Sequence, residues 1–129
     1  MSHAQENALI DRMDLRASAR VAGVGCVIAI VVFSLLPGHQ RPDILHNGNL
    51  EHFAAYAGTA FLLVFGFTRR FAWAHISALS AASALFEILQ IWIPGRHAGV
   101  DNWLASSAGA VVGAVLAFHM SRYASRKSG

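Results

Sequence analysis

The sequence predicts an all-α protein, a four-helix transmembrane bundle with both termini on the cytoplasmic side. Three observations lead there. Charge is scarce and gathered into short segments, four long apolar runs lie between those segments, and Lys and Arg fall almost wholly on one side of the implied membrane. Hydrophobic residues make up 55% of the chain and charged residues 13%, where a soluble domain carries about a quarter charged. Mean hydropathy is +0.46. At 129 residues the chain has room for one domain at most.

The elements follow in order. Residues 1–20 form a polar segment carrying Glu6, Asp11, Arg12, Asp14, Arg16 and Arg20, either a short amphipathic surface helix or a mobile tail. The first apolar run, 21–36, is somewhat short for a span, which needs about 20 residues. Ala17 to Ala19 can extend it, with Arg20 snorkelling to the headgroups. It ends in Leu36, Pro37, Gly38 and His39, not in a small-x-small cleavage site, which makes it an uncleaved span and not a signal peptide. Pro37, Gly38, Pro42, Asn47, Gly48 and Asn49 mark a loop over 37–49. The second span covers 50–67, residues 68–70 make a tight turn, and the third span covers 71–93. Pro94 and Gly95 open a loop over 94–101, the fourth span covers 102–119, and a basic tail occupies 120–129. The membrane domain is therefore 21–119.

Orientation comes from counting basic residues. Arg12, Arg16, Arg20, Arg69, Arg70, Arg122, Arg126 and Lys127 fall on one side, against Arg41 and Arg96 on the other. The positive-inside rule places the first set in the cytoplasm, with N-in and C-in topology. This accounts for the net charge of +3 without a nucleic-acid partner, since no basic, aromatic-interleaved surface is present. Cys26 stands alone inside an apolar run and supports no intramolecular disulfide. Ala105, Gly109, Gly113 and Ala117 put small residues on one face of the fourth span, a surface suited to close packing within the bundle. Trp73, Trp92 and Trp103 fall near span ends, as interface belts do.

Ionisable groups inside a span are costly and usually face a polar interior. Ser80, Ser83, Glu87 and Gln90 form one stripe on the third span, and His52, Tyr56 and Thr59 share a face of the second. The 68–70 turn implies antiparallel neighbours, so the two faces should meet at the extracytoplasmic end. Glu51, Arg96, His97, Asp101, Asn102 and Ser106 join them there. The candidate binding set is Glu51, His52, Tyr56, Glu87, Gln90, Arg96, Asp101, Asn102 and Ser106, with Glu87 and His52 as candidate acid–base groups. His52, Glu87, His97 and Asp101 are suitable metal ligands by type, but no His-x-x-x-His or Glu-x-x-His spacing supports a metal site. No cofactor is expected.

The strings LEHFAAYAGTAFL (50–62) and FEILQIWIPGRHAGVDNWLASSAGAVVG (86–113) resemble the VanZ-like family of small bacterial membrane proteins. Its pattern has His-Phe followed by Tyr opening one span, Glu-x-x-Gln near the end of the next, then Arg, Asp, Asn and Gly. His52, Phe53, Tyr56, Glu87, Gln90, Arg96 and Gly109 fit. The chain departs from it at Asn102, where the family's Asp falls, and at Ser106, where its Asn falls. It also lacks the basic residue often found just before the His. The resemblance implies a place in the bacterial cytoplasmic membrane and a link to glycopeptide response, chiefly teicoplanin resistance. It implies no defined reaction.

Three readings remain open. In the first, the outer cluster binds a membrane lipid headgroup or a lipid-linked wall precursor, with Arg96 on its phosphate or carboxylate. In the second, the polar groups only hold the bundle together, Glu87 with Arg96 and His52 with Gln90, in a structural or accessory membrane subunit. In the third, Glu87 and His52 work as an acid–base pair in a membrane enzyme, although Ser106 and Ser107 have no nucleophile motif around them. Nothing in the sequence sets the oligomeric state.

Overall fold

The apolar runs and the breakers between them become four helices. The computed structural model describes residues 3–41 and 44–126. The breaker Pro42 and Lys127 of the basic tail lie outside the described residues, as does the side chain of Arg126. Helix α1 spans His3–Leu35, α2 Gly48–Gly66, α3 Ala72–Gln90 and α4 Val100–Arg126, with single 3-10 turns at Gly38–Gln40 and Arg69–Phe71.

Residues 3–20 run directly into the first apolar run as one helix of 33 residues, about 50 Å long. Its polar part is rich in Ala and Arg, both good helix formers, and no proline before Pro37 stops the helix. At the other end of the chain, α4 continues past His119 to Arg126 for the same reason. α3 stops at Gln90, short of the expected 93, and residues 91–99 form a loop whose Gly95 takes a left-handed φ of 74°. The start of α2 is fixed by Asn47, whose side chain accepts a hydrogen bond from the Leu50 N–H at 3.1 Å.

The small residues of α4 set the packing. A Cβ added at Gly109 would lie 2.3 Å from the Phe53 carbonyl oxygen, and one at Gly113 would lie 2.0 Å from that of Ala57. Only a bare α-carbon lets the two backbones approach this closely. Both contacts advance four residues along each helix, so α2 and α4 run parallel. The expected use of this face, packing within the chain, is what the structure shows. α2 packs chiefly on α4 and then on α1, α3 leans on α4, and α2 and α3 share a much smaller interface. The tight turn does join antiparallel helices, but α4 takes the place beside α2 that the sequence assigned to α3.

Tyr56, Ala60, Leu63, Leu79 and Ala110 form one buried cluster, and Val64, Ala114 and Ala117 a second. Many large apolar side chains point outward, among them Val21 and Ile28 of α1, Leu85 and Ile88 of α3, and Leu116 of α4. An apolar exterior of this extent suits lipid, not water. Three helices are long and apolar enough to cross a membrane, within Gln5–Leu35, Arg69–Gln90 and Val100–Tyr123. α2 falls short because its 19 residues include a polar first turn with Asn49, Glu51 and His52.

Candidate functional site

The polar residues gather at one end of the bundle, where the 36–47 and 91–99 loops meet. The Gly38 N–H donates to the Pro94 carbonyl at 3.1 Å. A Cβ at Gly38 would strike the Gly95 carbonyl, so the two loops touch through glycine backbone.

Three of the predicted polar groups here, Gln90, Arg96 and Glu87, are bonded to helix ends. The last carbonyls of a helix have no partner within it. At the end of α1 these are met from across the bundle. Gln90 Nε2 donates to the Ser34 carbonyl at 3.0 Å, Arg96 Nε donates to that of Leu36 at 3.0 Å, and Arg96 Nη2 to that of Phe33. A guanidinium also suits the negative end of the helix dipole. Burial pulls Arg96 down from its ordinary pKa; Arg41 adds to the effect and Glu87 opposes it. Glu87 serves α4 in the mirror sense. Its Oε2 accepts from the Gly99 N–H at 2.7 Å and from Asn102 Nδ2 at 3.5 Å, placing a carboxylate at the positive end of that helix. Glu87 is 8% exposed, and its Oε1 is buried with no hydrogen-bond partner among the described residues.

Glu51 orders the first loop. Its Oε1 accepts from the Ile44 and Leu45 N–H groups at 2.7 and 2.9 Å, and its Oε2 pairs with Arg41 Nη2 at 2.6 Å. His52 Nδ1 lies 3.3 Å from Ser106 Oγ on α4. Ser80 Oγ lies 2.8 Å from Ser107 Oγ and accepts from Trp103 Nε1 at 3.2 Å. Ser106 and Ser107 of α4 thus each reach one of the two expected polar faces, His52 on α2 and Ser80 on α3.

Two cavities open between these groups. One, of about 350 Å³, is polar and lined by Arg41, His46, Glu51, His52, Gln90 and Asn102 among others. The other, of about 440 Å³, is an apolar trough between α1 and α2, lined by Cys26, Ile30, Phe33, Ala55, Tyr56 and Thr59 among others. Arg41, Glu51, His52 and Arg96 line both. The polar pocket and the apolar trough are thus adjacent.

Of the predicted site residues, Glu51, His52, Gln90, Arg96 and Asn102 line the polar pocket and Tyr56 lines the trough. Glu87 and Ser106 stand behind the walls, bonded to Asn102 and His52. Asp101 is exposed and accepts from Asn49 Nδ2 at 3.0 Å. Both positions that depart from the family pattern are in use. Asn102 donates to Glu87 and to the His97 carbonyl, which an ionised aspartate could not do. Arg41 was read from the sequence only as a topology marker, although it is one of just two arginines on its side. His97 is exposed and also lines the polar pocket. Among the described residues no three His, Cys, Asp or Glu converge in a way that could hold a metal ion.

Fold and site together define a helical membrane protein with a polar pocket at one end of its apolar helices. The family model for VanZ/LLP1 matches residues 17–121, and the chain belongs to that family. No curated protein and no solved structure matches it.

Proposed function

We propose that this protein is a four-span protein of the bacterial cytoplasmic membrane, N-in and C-in, whose extracytoplasmic pocket binds an amphiphile. The ligand is a lipid headgroup or a lipid-linked wall precursor. Its polar end sits among Arg41, His52 and Asn102, and its chain lies in the trough between α1 and α2. The adjacency of the polar and apolar cavities carries this reading, because four residues line both. A headgroup alone would have no use for the trough, and an apolar molecule none for the arginines. α2 is the fourth span because it lies parallel to α4 over the whole region where their backbones touch, so it occupies the same membrane depth. The distribution of Arg and Lys supports the orientation. Family membership links such a site to glycopeptide response.

Native mass spectrometry of protein released gently from its own membrane tests the site. The expected result is one defined amphiphile on the wild type, lost on Ala55→Trp, which places a bulky ring in the trough and removes no polar side chain. Random bulk lipid on the wild type, or the same amphiphile on the filled variant, overturns the reading.

A specific observation favours a second reading, in which the cluster only holds the bundle together in a structural or accessory subunit. Gln90, Arg96 and Glu87 already bond to helix ends. The enzyme reading gains less. Ser106 and His52 are within hydrogen-bond reach, but Ser106 is fully buried and lines neither cavity, so no substrate reaches its hydroxyl.

A further inference from the structure

The opposite end of the bundle carries a second, differently built cluster. Four arginines there lie over aromatic rings. Arg20 sits 5.6 Å from the Phe67 centroid and Arg70 5.4 Å from that of Phe71. Arg69 and Arg122 share one ring, Phe118, at 5.5 and 4.9 Å. Arg20 is partly used within the fold, since its Nε donates to the Gly66 carbonyl at 2.7 Å at the end of α2. Arg69 and Arg122 make no ion pair among the described residues.

The sequence explains why. There is no Asp or Glu between Glu51 and Glu87, and none after Asp101. The end of α2, the turn after it, the start of α3 and the end of α4 therefore bring no carboxylate to this place. The acids of α1 on this side, Glu6, Asp11 and Asp14, all lie before Arg16 on its exposed N-terminal part. Two like charges are thus held on one ring, within about 10 Å of each other by the two ring distances. The ring attracts each guanidinium but neutralises neither. A guanidinium over a ring face still has N–H groups to offer a bidentate acceptor, and phosphate oxygens suit that fork. The cluster also lies at the right depth. Arg69 opens one candidate span, Arg69–Gln90, and Phe118 and Arg122 lie at the close of another, Val100–Tyr123, which is where headgroup phosphates begin for helices that cross a bilayer.

We propose that Arg69, Arg122 and Phe118 form a binding site for an anionic phospholipid, with a two-phosphate headgroup engaging both guanidinia at once. The site is independent of the amphiphile pocket at the other end. It also asks more than the general preference of basic residues for one membrane face, which needs positive charge but no shared ring.

The test uses the full chain in nanodiscs of phosphatidylcholine carrying a minor fraction of either phosphatidylglycerol, with one phosphate, or cardiolipin, with two. Lipid retained on the released protein is read by native mass spectrometry. Cardiolipin should be retained preferentially. Arg69→Gln with Arg122→Gln should weaken that retention roughly tenfold to thirtyfold. Phe118→Leu, which keeps both charges and an apolar side chain, should weaken it several-fold; this variant keeps the test decisive if the double variant folds poorly. Arg12→Gln with Arg16→Gln removes the same charge from the same end and should leave retention unchanged. Equal loss in that control would reduce the effect to bulk charge and overturn the proposal. So would full retention by Phe118→Leu, or no preference for cardiolipin over phosphatidylglycerol.

Discussion

The close approach of α2 and α4 makes a prediction in which the same substitution has opposite signs at two glycines. At Gly113 an added Cβ would lie 2.0, 2.8 and 3.0 Å from the carbonyl oxygen, carbonyl carbon and α-carbon of Ala57. All three are backbone atoms, so no side chain can rotate aside and the helices must separate. Overpacking of this kind typically costs about 1–3 kcal/mol, and contact between the backbones is lost along the seam as well. The gain in helix propensity from Gly to Ala returns up to about 1 kcal/mol. The net loss should be about 1–2 kcal/mol. Gly58, in the same stretch of α2, has nothing within 4 Å of its would-be Cβ. There Gly58→Ala should stabilise by about 0.5–1 kcal/mol, since only the propensity acts. Thermal unfolding of both variants in one detergent should place them on opposite sides of the wild type. Shifts in the same direction would refute the parallel, glycine-mediated seam, whatever their size.

Three further outcomes follow from the site. Arg96→Lys should destabilise by about 1–2 kcal/mol, because one ammonium nitrogen replaces the two separate nitrogens that reach the Phe33 and Leu36 carbonyls; thermal unfolding and amide exchange in the last turn of α1 measure it. Glu87→Gln keeps an acceptor for the Gly99 N–H and should lose about 1 kcal/mol, whereas Glu87→Ala leaves that donor unpaired and should lose about 2–3 kcal/mol; equal melting temperatures for the two would show that the bond to α4 carries no weight. A periplasmic reporter should be active when fused at residue 45 or 97 and silent at 69 or 129, and the reverse pattern would invert the proposed topology.

What the sequence revealed and what it concealed divide along one physical line. The four helices, the loops between them and the packing face of α4 depend on side-chain type and spacing. The polar end was legible as a set of residues for the same reason, since buried ionisable groups are rare enough to stand out. Their partners were not legible. Gln90, Arg96 and Glu87 bond to the Ser34, Leu36 and Phe33 carbonyls and to the Gly99 N–H, and every residue carries a carbonyl. No pattern of residue types marks which one is used. The expected pairs, Glu87 with Arg96 and His52 with Gln90, matched charge to charge and side chain to side chain, and so overlooked the helix ends. The role of α4 was hidden by the turn at 68–70, which fixes chain direction but not which helix lies nearest.

This division bears on how the site is to be probed. Helix-end carbonyls and N–H groups lie where the helices stop, and a pocket at the end of a bundle is walled by those same ends. Gln90 and Arg96 therefore tie α1 to the opposite loop and also line the pocket, and any substitution of either alters both. Loss of a ligand in such a variant would not separate binding from folding. His52 and the trough residue Ala55 are different. His52 is bonded to Ser106 but to no helix end, and Ala55 adds only apolar surface. A change at Ala55 alters the trough without removing a side-chain bond to α1 or α4, so loss of the proposed amphiphile there can decide between a pocket that binds and a polar cluster that merely fastens helices.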